Sequence, residues 1–153
     1  MYLRLEFEGD LHRTLEFIPL AVRRKLDLAG LKLSLKAWTA MTRAEKLAVC
    51  HLPVDGPGDL DVYREALQGF AHRAGHVIEP LEGGPVDPSG WAPGRVPQPV
   101  AARVAEMAGD ISDEQWSAFP EEARYVLLKL AEPRRNPEKL VAALRELRLQ
   151  PPP

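Results

Sequence analysis

Residues 18–53 lie over residues 96–131 without a gap, at a constant offset of 78. Pro19 falls on Pro97, Val22 on Val100, Ser34 on Ser112, Trp38 on Trp116, Ala40 on Ala118 and Leu52 on Leu130. Similar residues fill the positions between, such as Lys25 with Arg103 and Leu33 with Ile111. The matches sit on apolar and capping positions, which decide how helices start and pack. A chain that says the same structural thing twice is expected to fold as two copies of one unit. The spacing predicts an all-α fold of about eight short helices in two pseudo-repeated halves, 18–75 and 96–148. They are joined by a Pro/Gly-rich linker, 76–95, within one domain spanning residues 1–153.

Local signals place the helices. Pro19 and Pro97 suit the first turn of a helix, where the missing N–H costs nothing. Leu20, Val22, Leu26 and Ala29 then share one face, and Gly30 provides a stop. Ser34 caps a short helix carrying Trp38, and Thr42 with Glu45 forms a capping box. Asp59 opens a helix with the stripe Leu60, Tyr63, Leu67, Phe70, and Gly75 ends it. In the second half, Ser112 with Gln115 repeats the capping pattern ahead of Trp116. Pro120 starts another helix, and Asn136-Pro137 opens the last one, with Leu140, Leu144 and Leu147 on its apolar face. Before all this, Leu3, Leu5 and Phe7 alternate with Arg4, Glu6 and Glu8, which suggests a short extended segment.

Composition narrows the function. A net charge of −2 disfavours nucleic-acid binding, which needs a basic excess. The N-terminus carries early acids and no long apolar run, so neither a signal peptide nor a membrane span is expected, and the cytoplasm is the default location. The single cysteine, Cys50, rules out an internal disulfide. The charge is uneven: residues 18–53 carry seven basic against two acidic side chains, and residues 96–131 three against six. The basic half is a candidate face for an acidic partner.

The string Ile18-Pro19, Val22-Arg23, Lys25-Leu26-Asp27, Gly30, Lys32-Leu33 and Trp38 resembles the opening signature of the nitrate reductase associated protein family. Tyr63-Arg64, Pro80-Leu81, Val86-Asp87-Pro88, Trp91, Trp116 and Leu128–Leu130 follow the same family's order. These are small proteins found with assimilatory nitrate reductase. The resemblance implies a non-enzymatic accessory or adaptor protein, needed for assembly or activity of that enzyme and working by protein–protein binding. The implied partner is nitrate reductase or its maturation machinery, with no cofactor, and the oligomeric state is left open. Arg23, Lys25, Asp27 and Lys32 are the candidate partner-binding residues. Of these only Lys25 has a like-charged counterpart in the second half (Arg103), and a duplicated scaffold does not need such charges in one half alone. Reversing Arg23 and Lys25 to Glu is therefore expected to weaken partner binding and spare the fold.

Few residues suggest chemistry. His72 and His76 stand one helical turn apart, a spacing two imidazoles can use on one metal. Cys50-His51 would have to come near to complete the set. A small metal- or cofactor-binding carrier is thus the alternative reading, with a helical nucleic-acid binder behind it. Gly75 between the histidines argues against the metal. Cys50 is expected in the core, since the adjacent His51 points about 100° away around a helix. Trp38 and Trp116, at equivalent places, read as interior anchors.

Overall fold

The computed structural model describes residues 2–107 and 109–150. It is helical, with nine α-helices and one two-stranded sheet among the described residues. A 3-10 turn at Glu6–Glu8 comes first. Then follow α1 (Leu11–Thr14), α2 (Leu20–Ala29), β1 (Leu31–Lys32), α3 (Leu35–Ala40), α4 (Arg43–His51) and α5 (Asp59–Arg73). Next are β2 (Glu79–Pro80) and a second 3-10 turn, Pro88–Trp91. The chain ends with α6 (Gln98–Met107), α7 (Asp113–Ala118), α8 (Glu121–Leu130) and α9 (Pro137–Leu149). Helix starts recur at one spacing: 20 and 98, 35 and 113, 43 and 121, 59 and 137 are each 78 apart.

The chain divides into two compact units. One comprises Met1–Arg4 and Asp10–Asp87, the other Leu5–Gly9 and Pro88–Pro153. In the first, α2 packs on α5 and α4, and α4 on α5; in the second, α6 packs on α9 and α8, and α8 on α9.

Side-chain caps open four of the nine helices among the described residues. The Ser34 hydroxyl accepts from the Ala37 N–H, and the Thr42 hydroxyl from the Glu45 N–H, while Glu45 reaches back to the Thr42 N–H. Ser112 accepts from Gln115, and Asn136 from Glu138, with Pro137 the first helical residue. These satisfy N–H groups that have no partner within their own helix. Four starts sit one residue from expectation. Pro19 and Pro120 are N-caps rather than first helical residues. Gly58, at φ +78°, is the N-cap before Asp59, whose carboxylate accepts from the Gly56 N–H. The helix expected to run from Pro97 to Ala108 covers Gln98–Met107; Ala108 lies outside the described residues.

A fully buried tryptophan stands at the same repeat position in each unit. Trp38 and Trp116 are both 0% exposed. The Trp38 indole N–H donates to the Leu15 carbonyl at 2.9 Å, and that of Trp116 to the Ala92 carbonyl at 2.9 Å. Around Trp38 pack Leu15, Val22, Leu26, Leu33, Val49, Tyr63 and Leu67. The second unit buries Trp91, Val100, Val104, Tyr125, Leu127, Leu130, Leu140 and Leu144.

Two segments differ from expectation. The N-terminal stretch is extended only as far as Leu5, at φ −119° and ψ 137°: Glu6–Glu8 forms a 3-10 turn, and the Glu146 carboxylate on α9 accepts from the Glu6 N–H at 2.8 Å. Alternation in a short stretch predicts a strand only if another strand pairs with it. The linker 76–95 is more than a spacer. Glu79 and Pro80 pair antiparallel with Lys32 and Leu31.

Candidate functional site

The signature segment forms α2 and β1, and its polar residues part ways. Arg23 and Lys32 are exposed, and Asp27 is half-buried. The Asp27 carbonyl accepts from the Gly30 N–H, closing the helix, and from the Val86 N–H at 2.9 Å.

Lys25 corrects the expectation of an outward contact. It is 4% exposed, and its ammonium donates to the Cys50 and Leu52 carbonyls at 2.6 and 2.5 Å. Those carbonyls belong to the end of α4, where unpaired oxygens and the negative pole of the helix favour a cation. Lys25 is thus a strut joining α2 to the end of α4. The sequence held the signal: Lys25 lies three residues after Val22 and four before Ala29, on the apolar face. Arg24 is also buried, and its guanidinium reaches Asp55 at 2.8 Å. The second unit has matching features. Arg103, 78 residues after Lys25, reaches the Pro133 carbonyl just past α8 at 3.4 Å. The buried Arg124 donates to the Trp91 and Phe119 carbonyls.

Glu45 is the buried acid of the first unit, at 7% exposure. It completes the Thr42 capping box and pairs with Arg73 on α5. Burial alone would raise its carboxyl. Hydrogen bonds from the Thr42 N–H and hydroxyl, and the Arg73 guanidinium, outweigh burial and hold it below its usual range. A carboxylate depressed in the folded state stabilises fully above its unfolded value of about 4.3, and loses that contribution as pH falls through the folded value. Glu45→Gln is expected to cost about 1–2 kcal/mol at neutral pH. The difference from wild type should shrink towards zero in acid, read by urea denaturation across pH.

Cys50 is fully buried, and desolvation pushes its thiol up despite the Tyr2 hydroxyl, Lys25 and Arg4 nearby. A protonated interior thiol is a poor nucleophile. His51 stays at the surface, its ring edge-on to Tyr2 at 4.9 Å. Desolvation, with Arg4 and Lys25 nearby, lowers its pKa.

His72 and His76 share one pocket. Gly75, at φ +82°, does not separate them. It turns the chain so that the His76 N–H donates to the Ala71 carbonyl at 2.8 Å and the Gly75 N–H to that of His72 at 3.0 Å. Both histidines line a shallow pocket of about 240 Å³ with Gln68, Val77 and Ile78. Its walls bring two imidazoles, and Cys50 is not among its residues. Among the described residues no three His, Cys, Asp or Glu side chains are grouped to hold a metal.

The family model of the conserved nitrate reductase-associated protein matches residues 4–147. The chain belongs to that family. No curated protein and no solved structure matches it. In this nitrate reductase-associated protein, no helix among the described residues is long and apolar enough to cross a membrane. Its signature segment presents Arg23 and Lys32 to the outside, together with exposed Phe17, Leu35 and Lys36. The rest of the signature builds the interior.

Proposed function

We propose that this chain is a non-enzymatic accessory protein of assimilatory nitrate reductase, acting in the cytoplasm by binding the enzyme or a component of its assembly. The family match supports the partner. The observation that carries the binding mode is the sorting of charge in the first unit. Its buried cations, Arg24 and Lys25, are spent on Asp55 and on carbonyls of α4. Arg23, Lys32, Lys36 and Arg43 remain at the surface of this unit, which also exposes the apolar Phe17 and Leu35. Exposed cations interspersed with apolar side chains suit a protein partner with an acidic surface.

Arg23→Glu with Lys32→Glu tests this. Both side chains are exposed, so the circular dichroism spectrum and melting temperature should stay as in wild type. Co-purification of nitrate reductase should fall roughly tenfold, and the loss should deepen at low salt. Assay of the reductase with and without the protein then reads the effect on activity. Unchanged co-purification at every salt concentration contradicts the reading. The alternative, a metal carrier, has the shared pocket of His72 and His76 in its favour. Two imidazoles need further ligands to complete a tetrahedral site.

A further inference from the structure

The first unit covers a groove that the second leaves open. After α5 the chain turns at Gly75 and runs back over the C-terminal end of α2. Ile78 is buried, the Leu81 N–H donates to the Gly30 carbonyl at 2.8 Å, and β2 pairs with β1. The approach is close: a Cβ on Gly30 would stand 2.8 Å from the Pro85 nitrogen. At this end of α2 Ala29 is 3% exposed, and on α5, which packs against α2, Leu67 and Ala71 are 1% and 0% exposed.

In the second unit, α6 and α9 hold the corresponding positions. Met107 follows Ala29 by 78 residues; Leu144 and Arg148 follow Leu67 and Ala71 by 77. Between them is an open groove of about 290 Å³ lined by Met107, Val141, Leu144, Arg145, Arg148 and Leu149. Met107 is 43% and Leu149 81% exposed, where Ala29 is sealed. Arg148 is held at the rim by the Asp110 carbonyl and the Gln115 side-chain oxygen.

We propose that the two units are versions of one helical design, and that this groove docks an extended, acidic segment of a partner protein. An aliphatic side chain would sit between Met107 and Leu149, with carboxylates facing Arg145 and Arg148. The internal precedent is the covering segment itself, Ile78-Glu79-Pro80-Leu81-Glu82, in which an aliphatic residue followed by an acid occurs twice. Two arginines flanking an apolar floor select that chemistry by charge complementarity. The inference rests on the partner-binding reading but uses a different surface, so the two fail separately. Loss of this site leaves the Arg23 and Lys32 result standing.

The probe is a fluorescein-labelled synthetic peptide, VIEPLEGGPV, copied from residues 77–86 and titrated into the full chain by anisotropy. Saturable binding is expected, weakened at least about tenfold by Leu149→Asp and by Arg145→Glu. Both substituted side chains are exposed, so folding is preserved. A peptide with lysines for its two glutamates should not bind. Absence of binding, or binding indifferent to both variants, overturns the proposal. A dimer of the free chain that Leu149→Asp dissociates also overturns it, by giving the groove to a second copy. Tighter peptide binding after removal of residues 151–153 overturns it in favour of the chain's own end.

Discussion

Lys25→Glu is expected to unfold the first unit, whereas Arg23→Glu, two residues earlier, leaves it intact. The two side chains carry the same charge on the same helix, and only their surroundings differ. Lys25 is enclosed, with its ammonium on the Cys50 and Leu52 carbonyls. A carboxylate there would face two carbonyl oxygens with no donor, and the end of α4 would lose its cation. Leaving a buried charge uncompensated costs about 3–5 kcal/mol, a large part of a typical total of roughly 5–15 kcal/mol. Lys25→Met should cost less, about 1–3 kcal/mol, since it leaves carbonyls unpaired but buries no charge. Arg23→Glu should fall within about 0.5 kcal/mol of wild type. Urea denaturation followed by circular dichroism ranks the three. If Lys25→Glu is as stable as Arg23→Glu, the strut is not a strut. A lost pull-down with Lys25→Glu would therefore report unfolding, and Arg23 with Lys32 is the pair that probes binding.

What the sequence made legible was local. A cap needs only its own helix, so Ser34, Thr42 with Glu45, Ser112 and Asn136-Pro137 were readable from neighbours three or fewer residues away. The two tryptophans were readable because a repeated position with a large apolar ring calls for an interior. What escaped was set by distant partners. Glu6 accepts its turn because Glu146, 140 residues on, binds its N–H. Glu45 was visible as half of a capping box, but Arg73, 28 residues away on α5, was not. Residues 76–95 read as a spacer because Pro and Gly signal loops. Nothing local announced that two of them would pair with β1. The site follows the same rule. Arg23 and Lys32 could be named from the signature, whereas the inward turn of Lys25 depended on where the last carbonyls of α4 would arrive. The groove beside Met107 and Leu149 had no sequence signal, because a missing cover is visible only against the covered counterpart.

Trp38→Ala and Trp116→Ala are each expected to lower stability by about 3–5 kcal/mol, the usual range for removing a large enclosed ring. In a chain of this length that lowers the melting temperature by roughly 6–20 °C. The indole does two things in each unit: it fills the centre, and its N–H donates to a backbone carbonyl from a distant segment. The acceptor in the first unit is Leu15, held at φ +53° with no exposed surface. A left-handed leucine costs about 1–2 kcal/mol, so its surroundings must over-determine it, and the Trp38 N–H is one of the contacts that do. Trp38→Phe separates the roles. It keeps most of the ring volume and loses the donor, so about 1–3 kcal/mol should disappear with the hydrogen bond alone. Leu15→Gly in the Trp38→Phe background should add to that loss, because the about 1–2 kcal/mol of backbone relief is smaller than the about 2–5 kcal/mol lost with an enclosed leucine side chain. If both units follow one design, Trp116→Phe should cost a similar amount through its hydrogen bond to Ala92. A Trp38→Phe variant as stable as wild type would mean that the ring, and not its N–H, fixes the Leu15 turn.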